Sequence, residues 1–367
     1  MNTKNHDEPK LGKTIWSDIR RGDFRRTLKR DWRELKEFYL DKDHQERLLE
    51  MKRLKRWFFM FVWMLKILFL KLTPVRRILL LLGVFFIFFS GKFQISAGQV
   101  QYQNDTNILG FLIIVFILML ELKDKLLARD ELMAGRAVQN ALMPVSFPPI
   151  SGWSLWLFTH PANEVGGDLV DFLEIDNQRY GVALGDVSGK GLAAALFMAK
   201  LQATLRAVAP DLSSLAELGA KLNKIFYRDG LPNSFASLIY LEFRPDSNDI
   251  RLLNAGHMPP VHIKNGGIEE MRKGNNALGL SPSAKYAEHH LSLQKGEILL
   301  AYSDGLTEAR NEAGVFFGEK RLKDLIYRSR ELSARKFGEK ILTEISAFVG
   351  DARPHDDLSL VILKRID

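Results

Sequence analysis

The chain is 367 residues long, carries a formal net charge of +8 and contains no cysteine. That length accommodates a catalytic domain with a full core plus a smaller appended region. The lack of cysteine excludes disulfides, thiolate metal sites and cysteine-nucleophile catalysis. The basic residues crowd beside long apolar runs near the N-terminus, which assigns the positive charge to a membrane surface and argues against nucleic acid as a partner.

In chain order, residues 1–56 are polar and charged, with a helix-compatible stretch at 31–51 and no secretory pattern, and read as a basic cytoplasmic N-terminal arm. A membrane region is predicted over 57–122, built on apolar blocks at 57–70, 78–89 and 108–120. The first block is interrupted by Lys66 and bordered by Lys71, Pro74, Arg76 and Arg77, which predicts an interfacial helix over 57–73. With their small and polar flanks, the other two reach the about 17–20 residues that cross a bilayer, predicting transmembrane helices at about 78–97 and 106–122. Cation placement orients them. Lys92 is the only cation between the two spans, whereas Lys52, Arg53, Lys55, Arg56, Arg76 and Arg77 precede and Lys123, Lys125 and Arg129 follow. Both ends are therefore expected in the cytoplasm, in a multi-pass protein of the inner membrane with the catalytic domain on the cytoplasmic side.

Residues 123–143 predict a linker helix with Leu126, Leu132, Met133, Val138 and Leu142 spaced for one face, stopped by Pro144. It is a candidate contact for a homodimer and equally an ordinary amphipathic linker. From 144 to 367 the texture changes to short strands and turns. Strands are predicted at 153–160, 169–175, 180–184, 235–243, 250–254, 260–263, 298–302 and 358–363, and helices at 192–209, 213–228, 320–330 and 335–349. The grouping of helices between strands predicts an α+β domain of antiparallel sheets with helices on the outer faces.

The stretch Gly185-Asp-Val-Ser-Gly-Lys-Gly191 places Asp186 in a glycine-rich turn between a strand and an alanine-rich helix. A phosphate-binding P-loop would need four residues between its glycines and a Ser or Thr after the lysine, and this turn has neither. Three further acidic turns, Glu164-Val-Gly-Gly-Asp168-Leu-Val-Asp171, Ser303-Asp304-Gly305 and His355-Asp356-Asp357, also lie at predicted strand ends. Singly, each is explained as a turn-capping aspartate. Together, four such carboxylates repel one another unless cations join them, and hard divalent cations take all-oxygen donor sets. The eight histidines show no pair at zinc-site spacing.

These turns, with Asn254-Ala-Gly-His257, Tyr302-Ser-Asp-Gly-Leu-Thr-Glu-Ala-Arg310, Phe317-Gly318, His355-Asp-Asp-Leu-Ser359 and the Gln-x-x-Leu-x-Pro run at 139–144, resemble the PPM-type serine/threonine phosphatases of the bacterial SpoIIE/RsbU group in order and spacing. The resemblance covers roughly residue 138 to the C-terminus. It implies an αββα sandwich of two antiparallel sheets with two Mn2+ or Mg2+ ions at one end, which activate a water for phosphoester hydrolysis without a covalent phosphoenzyme. Carried over motif by motif, Asp186 bridges both ions, Asp168 and the Val187 carbonyl complete one, and Asp304 and Asp356 complete the other; Asp186 and Asp304 are the residues on which catalysis is expected to depend. Asp171 and Asp357 are outer carboxylates or ligands of a looser ion, and Lys190, Asn254 and His257 are candidates near the phosphate. Leu169 and Val170 depart from the family's aromatic pair and are expected to line the site wall.

The implied substrate is a phosphoprotein, an anti-sigma-factor antagonist of a partner-switching pathway, with membrane lipid as a second partner. A non-catalytic signalling module of the same fold is the alternative reading. Retention of every metal-turn carboxylate speaks against it.

Overall fold

The computed structural model describes residues 42–49, 51–88, 93–97, 100–104, 106–144, 147–230 and 234–367, with a few single positions between 28 and 40. Most of the predicted N-terminal arm and the start of the 31–51 helix lie outside the described residues. The chain divides into two compact units, Met1–Leu126 and Leu127–Asp367.

In the first unit, α1 (Lys42–Leu49), α2 (Arg53–Lys71) and α3 (Pro74–Phe88) precede a short hairpin, β1 (Phe93–Ala97) and β2 (Val100–Asn104). Leu40 and Leu48 are buried with Met60 of α2. The hairpin corrects the expected 78–97 span. Phe93-Gln-Ile-Ser-Ala and Val100-Gln-Tyr-Gln alternate apolar and polar residues with the period of a strand, and this pattern prevails over the helical extension. Helix α3 has 15 residues, about 22 Å at 1.5 Å per residue, against a hydrocarbon core of about 30 Å.

The long α4 (Thr106–Leu142) runs without a break through the predicted span and the predicted linker, so no break in the helix marks the expected boundary near 122. Gly83 of α3 packs against Gly110 and Ile113 of α4, and Arg76 reaches Glu121 and Asp124, both at 2.6 Å.

The second unit is a four-layer αββα sandwich. One sheet has the order β10-β7-β6-β5-β4 and the other β3-β12-β11-β8-β9, with every pairing between strands antiparallel. The first comprises β4 (Leu169–Asp176), β5 (Arg179–Val187), β6 (Ala236–Phe243), β7 (Asp249–Ala255) and β10 (Glu288–Ser292). The second comprises β3 (Trp153–His160), β8 (Val261–Lys264), β9 (Gly267–Glu270), β11 (Ile298–Tyr302) and β12 (Leu358–Arg365). Helices α5 (Leu192–Val208) and α6 (Leu215–Asp229) cover the first sheet, and α8 (Gly318–Ser329) and α9 (Ala334–Val349) cover the second, after the one-turn α7 (Asp304–Thr307).

Strand β5 shows why the layers form. Val182 and Leu184 face the core between the sheets, while Ala183 and Val187 face the helices, so one strand with alternating apolar faces serves two cores. The β4–β5 turn is closed by Asp176, whose Oδ1 accepts the Gln178 N–H at 2.9 Å. Residues 192–211 are long and apolar enough to cross a membrane by length and composition alone. Ala194, Phe197, Met198, Leu201 and Leu205 are nevertheless packed in the helix–sheet core, which makes this a core helix.

Candidate metal centre

Four carboxylate-bearing turns meet at one end of the sandwich. Asp168 stands just before β4 and Asp186 near the end of β5, adjacent strands paired through Leu169 and Gly185. Asp304 opens α7 just after β11, and Asp356 precedes β12, strands paired through Tyr302 and Leu360. Each sheet thus contributes two carboxylates, and the antiparallel pairing puts each pair at one edge. Between Asp186 and α5 the backbone turns through Gly189 (φ +105°) and Gly191 (φ +73°), conformations that side chains with a Cβ rarely adopt. The Val187 carbonyl lies against Gly167, beside Asp168.

The electrostatics of this end are unfavourable without added positive charge. Burial, then the nearby Asp186 charge, holds the Asp168 carboxyl well above the usual range, and its Oδ2 is buried with no hydrogen-bond partner. Burial, then repulsion from Asp304, Asp356 and Asp357, pushes Asp186 up to about 7. Asp304 is raised by burial and by Asp356. Among the described residues, no group of three or more histidine, aspartate or glutamate side chains is drawn close enough to enclose a cation. Protein donors hold two of the acidic groups instead. Lys190 Nζ is 3.0 Å from Asp356 Oδ2, and Asp357 accepts backbone N–H groups of Ala162 (2.8 Å), Gly167 (2.6 Å) and Asp168 (3.3 Å). The donor chemistry still fits a hard divalent cation: oxygen only, net negative, with one buried carboxylate oxygen, Asp168 Oδ2, left without a hydrogen-bond partner.

The supporting residues have distinct places. His257 is buried and neutral, its basicity lowered by burial to about 4. Its Nε2–H donates to the Tyr302 carbonyl at 3.2 Å, so Nδ1 accepts from the Ser237 hydroxyl at 2.7 Å. It therefore ties the strand end that precedes Asp304 to the residue paired with Asp186. Asn254 holds the same turn through its Oδ1 and Nδ2, at 2.9 and 3.1 Å from His257 N and O. Both are braces.

Asp171 is fully buried and gripped by Arg206, which accounts for its charge without an ion. Lys190 is exposed and reaches the His355 carbonyl (3.2 Å) as well as Asp356. Leu169 packs in the helix–sheet core, correcting the expectation that it lines the site, while Val170 borders a neighbouring cavity.

Ser237, Ser303, Ser359 and Arg206 carry roles that no motif in the sequence marks. Ser303 Oγ donates to the Asp357 carbonyl and accepts from Ser359 N, both at 3.0 Å, locking Asp304 and Asp356 to each other's strands. Ser303 and Ser359 sit inside the quoted motifs, but nothing in the sequence indicates which atoms they join.

A family model described as Stage II sporulation protein E (SpoIIE) matches residues 176–366. Protein IcfG of Synechocystis sp. is 25% identical over 308 residues, covering 74% of this chain and 48% of that protein. Phosphoserine phosphatase RsbU of Bacillus subtilis is 25% identical over 239 residues, covering 65% of this chain and 70% of that protein. The chain thus spans about half the length of the first relative. The SiaA-PP2C domain of Pseudomonas aeruginosa superposes with a TM-score of 0.57 at 19% identity, covering 67% of this chain and 98% of that domain, a likeness of fold.

Proposed function

The chain belongs to the Stage II sporulation protein E (SpoIIE) family, and from that premise we propose that it is a metal-dependent protein phosphatase acting on phosphoserine or phosphothreonine. The observation that carries the reading is the meeting of Asp168, Asp186, Asp304 and Asp356 from two sheets, with the first three held protonation-prone by burial and mutual repulsion. The similarity to a relative named as a phosphoserine phosphatase supports the reaction class.

Asp168, Asp186, the Val187 carbonyl, Asp304 and Asp356 would hold two Mn2+ or Mg2+ ions. The chemistry so supplied would be acidification of a water toward neutral pH and neutralisation of charge on the phosphoryl oxygens. The chain's own residues do the rest. Ser237, His257, Asn254, Ser303 and Ser359 fix the turns that carry the carboxylates. His257 moves no proton, because both ring nitrogens are engaged and its basicity is low. Lys190, an exposed cation beside Asp356, stands where it can meet an incoming phosphate.

The substrate we infer is a phosphorylated anti-sigma-factor antagonist. Attachment to the inner membrane through α2, α3 and α4 is part of the same reading. It is supported by exposed Trp57, Phe61, Ile78, Leu81, Phe85, Phe111 and Phe116 and by their basic flanks. Exposed Leu122, Leu126 and Met133 on α4 would form a homodimer contact.

The test is Mn2+-dependent phosphate release from a phosphoserine protein by the full chain in detergent. Asp186→Ala and Asp304→Ala should abolish it. No release by the wild type, or equal release by both variants, would favour the non-catalytic module.

A further inference from the structure

The one-turn α7, which Asp304 heads, is followed by a loop over 308–317 that leads the chain into α8. Its backbone is tied at every stage. Glu308 N–H donates to the Asp304 carbonyl and Phe317 N–H to the Ala309 carbonyl, both at 2.8 Å, and Arg310 and Phe316 form an antiparallel bridge. At the tip, Asn311 Oδ1 accepts the N–H groups of Ala313 (3.1 Å) and Val315 (2.9 Å), and the Asn311 carbonyl accepts Gly314 N–H at 2.8 Å. Phe317 anchors the base in the core between the second sheet and its helices, edge-on to Phe348. Arg321 of α8 donates from Nη1 to the carbonyls of Phe316 (3.0 Å) and Phe317 (2.9 Å) and lies over the same Phe348 ring.

This stiff loop presents groups that the fold itself does not use. Val315 and Phe316 are exposed, at 47% and 44%. The Arg310 guanidinium lies 4.6 Å over the Phe316 ring. Its Nε is buried without a hydrogen-bond partner, and no carboxylate pairs with the guanidinium among the described residues. Arg321, by contrast, is engaged by the loop's own carbonyls. Stacking on a ring holds a planar guanidinium in place while its N–H fork stays open, an arrangement that matches a carboxylate bidentately. Lys190, a second cation near the acidic end, already has Asp356 as its partner.

We propose that Arg310 is a specificity-determining residue that pairs with an acidic side chain beside the phosphorylated residue of the protein substrate, with Phe316 as its platform. A carboxylate there gives the buried Nε the acceptor that it lacks. Reach follows from chain geometry. An extended peptide advances about 3.3–3.6 Å per residue, so a substrate strand with its phosphate at the end that carries Asp304 passes the loop within a few residues. The exposed Val315 and Phe316 side chains offer apolar contact to the same strand. The inference rests on the proposed phosphatase activity and adds to it the kind of sequence that the site selects.

The experiment measures kcat/KM of the full chain in detergent with Mn2+ on p-nitrophenyl phosphate and on two synthetic phosphoserine peptides, one flanked on both sides by aspartate and the other by asparagine. The wild type should favour the aspartate peptide about tenfold, through KM, as one charge-assisted pair would give. Arg310→Met should abolish that preference. Arg310→Lys should reduce it to about twofold, since an ammonium keeps the charge without the fork, and it serves in place of Arg310→Met should that variant not fold. Lys336→Met, at an exposed position of α9, should retain the full preference. Because the readout is a ratio between two peptides, a loss of folded enzyme does not move it, which separates recognition from a purely structural stacking of Arg310. No preference in the wild type, activity on p-nitrophenyl phosphate but on neither peptide, or a preference that survives Arg310→Met overturns this inference alone. A wild type that releases phosphate from none of the three compounds overturns the function reading and this inference together.

Discussion

Arg206 grips Asp171 through both carboxylate oxygens, Nε to Oδ2 at 2.8 Å and Nη2 to Oδ1 at 2.6 Å, while Asp171 itself is fully buried. The sequence placed Asp171 in the same turn as Asp168 and left it as an outer carboxylate or a looser ligand. The structure gives it a protein partner. Arg206→Met should lower stability by about 2–3 kcal/mol in denaturant unfolding, because a buried carboxylate is left unpaired. Adding Asp171→Leu to it should recover most of the loss, and Asp171→Asn should leave the Mn2+ stoichiometry unchanged.

Asp186 is costly to the fold in the absence of cations. Its folded-state value of about 7 lies above the 3.8 of an unperturbed aspartate. The sign follows from linkage: the penalty is fully present above about pH 7 and disappears as pH falls toward 3.8. In EDTA at pH 7.5 or so, Asp186→Asn should therefore melt higher than the wild type. Added Mn2+ should raise the melting temperature of the wild type and not of the variant, reversing the order.

His257 has the opposite pH sign. Burial lowers its value from 6.5 to about 4, so the unfolded chain binds its proton first as pH falls. Its contribution is intact above about 6.5 and is lost between there and about 4, on the order of 3 kcal/mol. His257→Gln should flatten that part of the stability profile relative to the wild type in denaturant unfolding.

Lys190 pairs with Asp356 from an exposed position, 58% accessible, at 3.0 Å. An ammonium there competes with a cation for the same carboxylate, but weakly, because water screens it. Lys190→Met should tighten Mn2+ binding by a few-fold in calorimetry. The same change should raise KM for a phosphoprotein if the ammonium also meets the phosphate.

Much of the fold was legible in the chain. The strands expected at 180–184 and 298–302 and the helix expected at 192–209 appear as Arg179–Val187, Ile298–Tyr302 and Leu192–Val208, within a few residues of those bounds. The strands Gly267–Glu270 and Glu288–Ser292 were not foreseen. Both lie at sheet edges, where Glu and His side chains face water and the apolar alternation is thin. The helix expected over 78–97 fails for the converse reason: composition extended it, while the local period of 93–97 is two.

The sequence by itself determined the acidic turns, their order, and the glycines that let Asp186 sit between a strand and a helix, because local backbone geometry and residue chemistry are written in neighbouring positions. Only the tertiary structure decided which carboxylates remain for cations. Asp171 and Asp357 look much like Asp168 and Asp356 along the chain, yet one is taken by Arg206 and the other by three backbone N–H groups. Gln139 and Gly166 likewise meet across 27 positions. Such partners are fixed by the packing of α4 and α5 on the sandwich, and packing joins residues that no local pattern connects.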